Sequence, residues 1–389
     1  EGNPSNAISL LSYLNREQYG DWPLLYGPYY NAPLNPEKPY LDGKPIYEKD
    51  EKTKKYIIID KQEKSIPNYA PEYCTYFPRM WSQQENHIKE YKIWAGIKND
   101  PNNKKIPTFG QNLRYLFLYQ LGHMYFRYFM WNFSGKQNDA QGQGGLLEGN
   151  WISCIKWIDE IRLGPQKNLP EPMANNKGYN KFYMIPLLLG ILGLFFHLNN
   201  NVRDAIVIGL LFFMTGIAII LYLNQYPLQP RERDYSYVAS FYAFSIWIGL
   251  SVFSINDLLK KKIKPIFSSI IAIIICLAAP AIMASQGWDD HNRAGRYTAL
   301  EIAKNYLEPC EPNSILFTLG DNDTFPLWYA QEVEGIRTDV RVVNISLLSM
   351  DWYIDQIQKK VYNSPPIKIS IPKNAYIRSK RDIIWFYNN

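Results

Sequence analysis

Cysteine and histidine are scarce, four of each in 389 residues. Cys74, Cys154, Cys276 and Cys310 stand far apart, with no C-x-x-C pair and no Cys/His cluster, which excludes a zinc-ribbon type of site. Cys276 lies inside an apolar run and reads as a core thiol. A Cys74–Cys154 bridge stays open only if residues 1–181 lie outside the cytoplasm. The Gly- and Gln-rich stretch 134–150 lacks the Gly-Lys-Ser/Thr ending of a phosphate-binding loop, which excludes that mode of nucleotide binding. The chain opens on Glu1-Gly2-Asn3, without Met or a signal peptide, and stops inside a patterned stretch at Trp385-Phe386-Tyr387. It is expected to be an internal fragment of a larger protein.

Apolar residues are concentrated in one block, residues 182–285, although the mean hydropathy of the whole chain is −0.29. Four runs of about 17–21 residues suit a bilayer: Phe182–Leu198, Ala205–Leu223, Val238–Leu258 and Pro265–Ala284. The first and third connections share one side and carry Arg203 and the run Lys260-Lys261-Lys262-Ile263-Lys264. The positive-inside rule puts that side in the cytoplasm. Residues 134–181, the middle connection and everything after 285 are then external. The net charge of +6 comes partly from this lysine run, which reads as a membrane-side marker and not as a nucleic-acid patch.

Aromatics are abundant, with 30 Tyr and 11 Trp. Residues 1–112 are polar and rich in Pro and Tyr. Ser9–Tyr19 suggests a short helix, Tyr56–Ile59 a hairpin strand, and Cys74–Ser82 places Arg79 among aromatics, as a loop packed on a larger body or as a lid or acceptor-binding surface. Leu113–Phe133 is long enough to span but carries Arg114, His123 and Arg127, so we expect a helix in the interface, arginines toward water or headgroups and aromatics inward. After Trp288 the pattern alternates: helix Arg296–Leu307, strand Ser314–Leu319, helix Phe325–Glu334, strand Val340–Leu348, helix Asp351–Lys360, and a further strand at Ile367–Ile371. Such alternation argues for a small parallel-sheet domain. The expected fold is a mixed membrane protein: an external α+β loop region over 1–181 with an interfacial helix at 113–133, four transmembrane helices over 182–285, and a truncated external α/β domain over 286–389.

The loop Tyr226–Tyr237 holds Arg231, Glu232, Arg233 and Asp234 between two apolar runs, so it must sit at a membrane surface. Arg231 and Arg233 beside Tyr235 suit a lipid phosphate gripped by forked guanidinium donors, with Glu232 and Asp234 close enough to orient them. The alternative is an interfacial anchor within an aromatic belt. Secondary candidates are Arg127, the acids Asp321 and Asp323, and Asp289, Asp290 and His291. Asp321-Asn322-Asp323 could hold a divalent ion or form a turn and cap the next helix. Trp288-Asp289-Asp290-His291 reads as a membrane exit with a Trp anchor and solvated acids.

Several stretches carry a family resemblance: G-D-W-P-L-L-Y-G-P-Y-Y-N-A-P (20–33), G-H-M-Y-F-R-Y-F-M-W-N-F (122–133), P-R-E-R-D-Y-S-Y-V (230–238), W-D-D-H-N-R-A-G-R-Y (288–297) and G-D-N-D-T-F-P-L-W-Y-A-Q-E-V-E-G-I-R-T-D-V-R-V-V-N (320–344). Together they resemble the domain of unknown function 2723 family of Bacteroidetes, grouped as glycosyltransferase family 117, with the animal transmembrane O-mannosyltransferase as a relative. The resemblance implies a later half of a GT-C-like enzyme in the bacterial inner membrane, with its soluble regions periplasmic. It implies transfer of a sugar, mannose by analogy, from a polyprenyl-phosphate donor to protein hydroxyls. The catalytic acid is then expected upstream of this fragment; no cofactor is fixed by the resemblance, and a divalent metal stays open. The implied partners are the bilayer, the lipid-linked donor and a protein acceptor, and no nucleic acid. Competing classes are a membrane-anchored binding or assembly protein and a transporter; inverted repeats and in-span charges, which a transporter predicts, are not evident.

Overall fold

The computed structural model describes residues 4, 6–17, 20–50, 53–98, 105–165, 169–229, 231 and 233–377. It mixes helix and sheet and divides into two compact units, Glu1–Asp21 with Tyr40–Pro67 and Arg293–Asn389, and Trp22–Pro39 with Asn68–Asn292. Among the described residues, three helices are long and apolar enough to cross a membrane, as befits a multi-pass membrane protein: Val202–Leu223, Val238–Leu259 and Pro265–His291. The fourth expected span is shorter, Ile185–Asn200. At 1.5 Å per residue it is about 24 Å long, against a hydrocarbon core of about 30 Å. Its start is delayed because Asn180–Lys181 is taken into a sheet with Gly135–Lys136, and Tyr183 and Met184 then turn the chain with positive φ.

In the larger unit, β1 (Tyr26–Pro28) pairs antiparallel with β2 (Cys74–Tyr76). A continuous helix over 109–133 follows, opened by a Thr108/Gln111 capping box. Its middle, Leu116–Phe126, is π-helical, a rare geometry that recurs at functional sites. β3 (Gly135–Lys136) and β4 (Asn180–Lys181) pair antiparallel and lead into α1 (Ile185–Asn200), α2 (Val202–Leu223), α3 (Val238–Leu259) and α4 (Pro265–His291). Tyr125, Phe129 and Phe133 of helix 109–133 share one aromatic core with Leu187, Ile220, Phe241, Phe244 and Trp247. The expected outward arginines are half right. Arg114 is exposed, but Arg127 is buried. Its position beside Trp131, one turn on, points it into the protein and not to water.

α1 and α3 run parallel. Gly190 meets the Phe244 ring, Gly193 meets the Trp247 carbonyl, and Phe196 stacks on Phe253 at 6.0 Å. Two glycines three apart let the backbones approach as side chains would not.

The end of α2 is tied down by side chains distant in sequence. Its last carbonyls lack intrahelical donors. Leu221 O accepts from Arg79 Nη1 (2.9 Å), Tyr222 O from Trp22 Nε1 (2.8 Å), Asn224 O from Trp81 Nε1 (3.0 Å) and Gln225 O from Gln120 Nε2 (3.0 Å). Arg79 is fully buried over the Phe77 ring, and burial pulls it down to about 10, still protonated at neutral pH. Arg79 therefore caps the end of α2, on a loop packed against a larger body. Cys74 and Cys154 carry free thiols, so the disulfide is not formed.

In the other unit, strands Ile46–Lys49 and Tyr56–Asp60 form an antiparallel hairpin. α5 (Thr298–Leu307), β5 (Ile315–Thr318), α6 (Asp321–Glu332) and β6 (Arg341–Asn344) follow the expected alternation, with β5 and β6 parallel. The strand expected at Ile367–Ile371 is not one; Ile367 and Ile369 instead pack on Val343 and Tyr353.

Candidate functional site

Helix 109–133 aligns residues four apart on one face, and Tyr119, His123 and Arg127 of that series line a cavity. Tyr115, Tyr119 and His123 stack in a ladder, with centroids 5.2 and 5.6 Å apart, and Arg127 continues the series. The Gly-rich stretch 134–150 folds over them. His123 Nε2 donates to Gly142 O (3.1 Å), and Arg127 donates from Nη1 to Gly149 O (2.6 Å) and from Nε to His123 O (2.8 Å). The loop after α2 closes the other side, so that Arg127, Arg231, Arg233, His123, Gln229 and Tyr237 line a cavity of about 20 Å³. That is room for about one water.

Arg231 is exposed and Arg233 half-buried. Arg233 donates from Nε to Gln229 Oε1 (3.3 Å) and from Nη1 to the Tyr235 hydroxyl (3.0 Å), which draws the Tyr235 phenol below its ordinary value. The Arg231 guanidinium carbon lies 6.0 Å from the Tyr235 ring centre. Among the described residues neither arginine forms an ion pair. Glu232 lies outside the described residues, and Asp234 opens a short 3-10 turn, Asp234–Ser236.

Burial first, and then the neighbouring Arg127, press His123 down to about 3, so it is neutral at physiological pH. The unfolded chain takes up this proton as pH falls below about 6.5, whereas the folded chain does so only near 3. The stability it confers is therefore present above 6.5 and lost progressively on acidification, at ~1.4 kcal/mol per pH unit inside that window. Melting of the detergent-solubilised protein at pH 7 and pH 4.5 should differ by a few kcal/mol more in wild type than in His123→Gln, which keeps a donor for Gly142 O.

The secondary candidates separate. Asp323 is a helix cap: its carboxylate accepts from Leu319 N and Gly320 N, both at 2.9 Å, and these bonds lower its pKa. Asp321 is exposed beside it. Among the described residues no group of three metal-binding side chains occurs there or elsewhere. Asp289 is solvated as expected, but the Asp290 side chain is only 8% exposed. Asp290 Oδ2 accepts from Asn180 Nδ2 (3.0 Å) and faces Lys136 Nζ (3.7 Å), while Oδ1 lies 2.7 Å from His291 Nδ1. These groups edge a second cavity of about 370 Å³, walled by Tyr128, Trp131, Phe182 and Trp288. Trp131 adjoins both sites, with Arg127 4.9 Å and Lys136 5.1 Å from its ring centre.

Sequence reasoning placed Arg231, Arg233 and Arg127 separately; the structure brings them together. It missed His123 and Gln229 as lining groups, although His123 and Arg127 four apart on a helix was a readable signal.

Comparison with protein families corrects one expectation. The family models that match are TMEM260-associated domain 2, over residues 299–389, and a family of unknown function, DUF8416, over residues 20–117. These differ from the domain of unknown function 2723 family, so that resemblance does not hold. Each match covers less than half of the chain. No curated protein and no solved structure matches.

Proposed function

We propose that the chain is part of a membrane-embedded glycosyltransferase that holds a polyprenyl-phosphate sugar by its phosphate and passes the sugar to protein Ser/Thr hydroxyls on the non-cytoplasmic face. The observation that carries this reading is the convergence of Arg127, Arg231 and Arg233 on one cavity beside the ends of α2 and α3. A leaving phosphate needs positive charge beside it, and planar guanidinium forks supply that charge with geometry. The cavity is too small for a phosphate, so the headgroup meets exposed Arg231 and half-buried Arg233 from the membrane surface, while buried Arg127 backs them.

In this reading α1 is a fourth crossing, thinner than the bilayer average. It runs parallel to α3, so α2 must return between them, and the lysine run falls on the side opposite the arginines. That side is the cytoplasm by the positive-inside rule, in a bacterial inner membrane. Residues 293–377 form a small α/β domain on the periplasmic face. The competing reading, a membrane-anchored binding or assembly protein, draws on the small size of the arginine cavity.

Mass spectrometry of periplasmic glycopeptides separates them. Cells carrying the full-length gene, a deletion, or Arg231→Gln with Arg233→Gln are compared. Loss of the same hexosylated peptides in the deletion and the double variant is expected, with the variant protein still inserted. Unchanged glycopeptides in the deletion discard the enzyme and leave the assembly role.

A further inference from the structure

The second cavity contains a proton-accepting pair that the arginine site does not use. His291 Nδ1 lies 2.8 Å from Gly287 O and 2.7 Å from Asp290 Oδ1. A carbonyl oxygen can only accept, and so can an ionised carboxylate, so Nδ1 carries the proton. The lone pair of the neutral ring is then on Nε2. The ring is held by its Nδ1 edge and its side chain is 79% exposed. Asp290 is itself fixed from the facing hairpin, by Asn180 of β4 and Lys136 of β3. A carboxylate that orients an imidazole and stabilises its protonated form is the arrangement that makes histidine an effective base. Its seat is the last turn of α4, a rigid element, at the edge of an aromatic-walled cavity of about 370 Å³. Pockets of this order take small organic groups, and aromatic walls suit the apolar faces of such groups beside their polar edges.

We infer that His291, oriented by Asp290, takes the proton from an acceptor hydroxyl bound in this cavity. The step rests on the phosphate reading of the arginine cavity. The hydroxyl proton passes to His291 Nε2 and its electron pair stays on oxygen. That oxygen bonds to the sugar carbon as the carbon–oxygen bond to phosphate breaks, and the phosphate leaves with the bonding pair. His291 then releases its proton to water. Asp290 acts as a positioning residue. The other ionisable groups lining this cavity are Asp290 on the same helix, Lys136 on the hairpin and Tyr128 on helix 109–133.

The test uses isolated membranes carrying the full-length protein and radiolabelled polyprenyl-phosphate mannose, with hexosyl-protein counted from pH 5 to pH 9. Donor binding is measured in parallel by native mass spectrometry. Wild type should lose activity on the acid side, as a general-base step does. His291→Gln should lose transfer by about 100-fold or more and lose that acid limb, with donor binding unchanged. Asp290→Asn should slow transfer less than His291→Gln does, because it keeps the imidazole and loses only the group that orients it. Wild-type transfer by His291→Gln overturns the assignment. A loss with an unchanged pH profile also overturns it, because a merely structural cap behaves that way, as does a loss of donor binding. Failure of the phosphate reading shows separately, as donor binding that survives Arg231→Gln with Arg233→Gln.

Discussion

Gly193→Leu leaves no folded helix bundle. A Cβ at this position stands 1.7 Å from the Trp247 carbonyl oxygen and 2.9 Å from Ser251 N, both backbone atoms that no rotamer change can move. α1 and α3 must part by roughly 1.5 Å or more to reach ordinary contact even with alanine. Parting them strips Phe244 and Trp247 from the aromatic core they share with Phe129 and Leu187. The expected loss exceeds ~4 kcal/mol, a size reserved for failures of this kind. Gly209→Leu on α2 is the control, since its Cβ meets nothing within 4 Å. Size-exclusion chromatography in mild detergent should show Gly193→Leu aggregated and Gly209→Leu indistinguishable from wild type. A monodisperse Gly193→Leu would mean that the two helices do not touch as described.

Asn224→Ala should cost roughly 3 kcal/mol or more. Asn224 is fully buried at the end of α2. Its Nδ2 donates to Pro23 O (2.8 Å) and Pro78 O (2.9 Å), and its Oδ1 accepts from Gln120 Nε2 (3.1 Å). Alanine leaves three buried polar groups short of a partner, at about 1–3 kcal/mol each. The backbone at Asn224 is left-handed, φ 41°, a conformation asparagine tolerates and alanine resists. Asn224→Gly removes the same hydrogen bonds but relieves the strain, so it should melt above Asn224→Ala and below wild type. Equal melting of both variants would assign the whole effect to the lost bonds; wild-type melting of Asn224→Ala would remove the hub.

The elements legible in the sequence were those set by local pattern. Three apolar runs became long helices, and the alternation after Trp288 gave α5, β5, α6 and β6 in the expected order, although α6 begins four residues before the expected Phe325 and β6 ends four residues before the expected Leu348. The arginine loop was legible because charge cannot be solvated inside hydrocarbon, so Arg231 and Arg233 had to lie at an end of a span. What escaped depends on partners far away in the chain. The start of α1 is set by a pairing of Gly135 with Lys181, which hydropathy cannot register. Asn224 carries no local sequence signal, because its three partners come from residues 23, 78 and 120. Arg127 was expected to face headgroups because burial of a charge is costly, but the carbonyls of His123 and Gly149 and the Trp131 face pay that cost inside the fold. Asp290 was read as solvated because two adjacent acids at a helix end usually are; Asn180 and Lys136 are what bury it.

The claim that the arginine loop grips a lipid phosphate is tested most directly by binding. Native mass spectrometry of the purified full-length protein with polyprenyl phosphate and with the matching polyprenol measures the contribution of the phosphate alone. Retention of the phosphate lipid at least ten-fold above the alcohol, lost in Arg231→Gln with Arg233→Gln while the variant melts as wild type does, is the predicted result. Equal retention of the two lipids by wild type, or undiminished preference in the double variant, would contradict it.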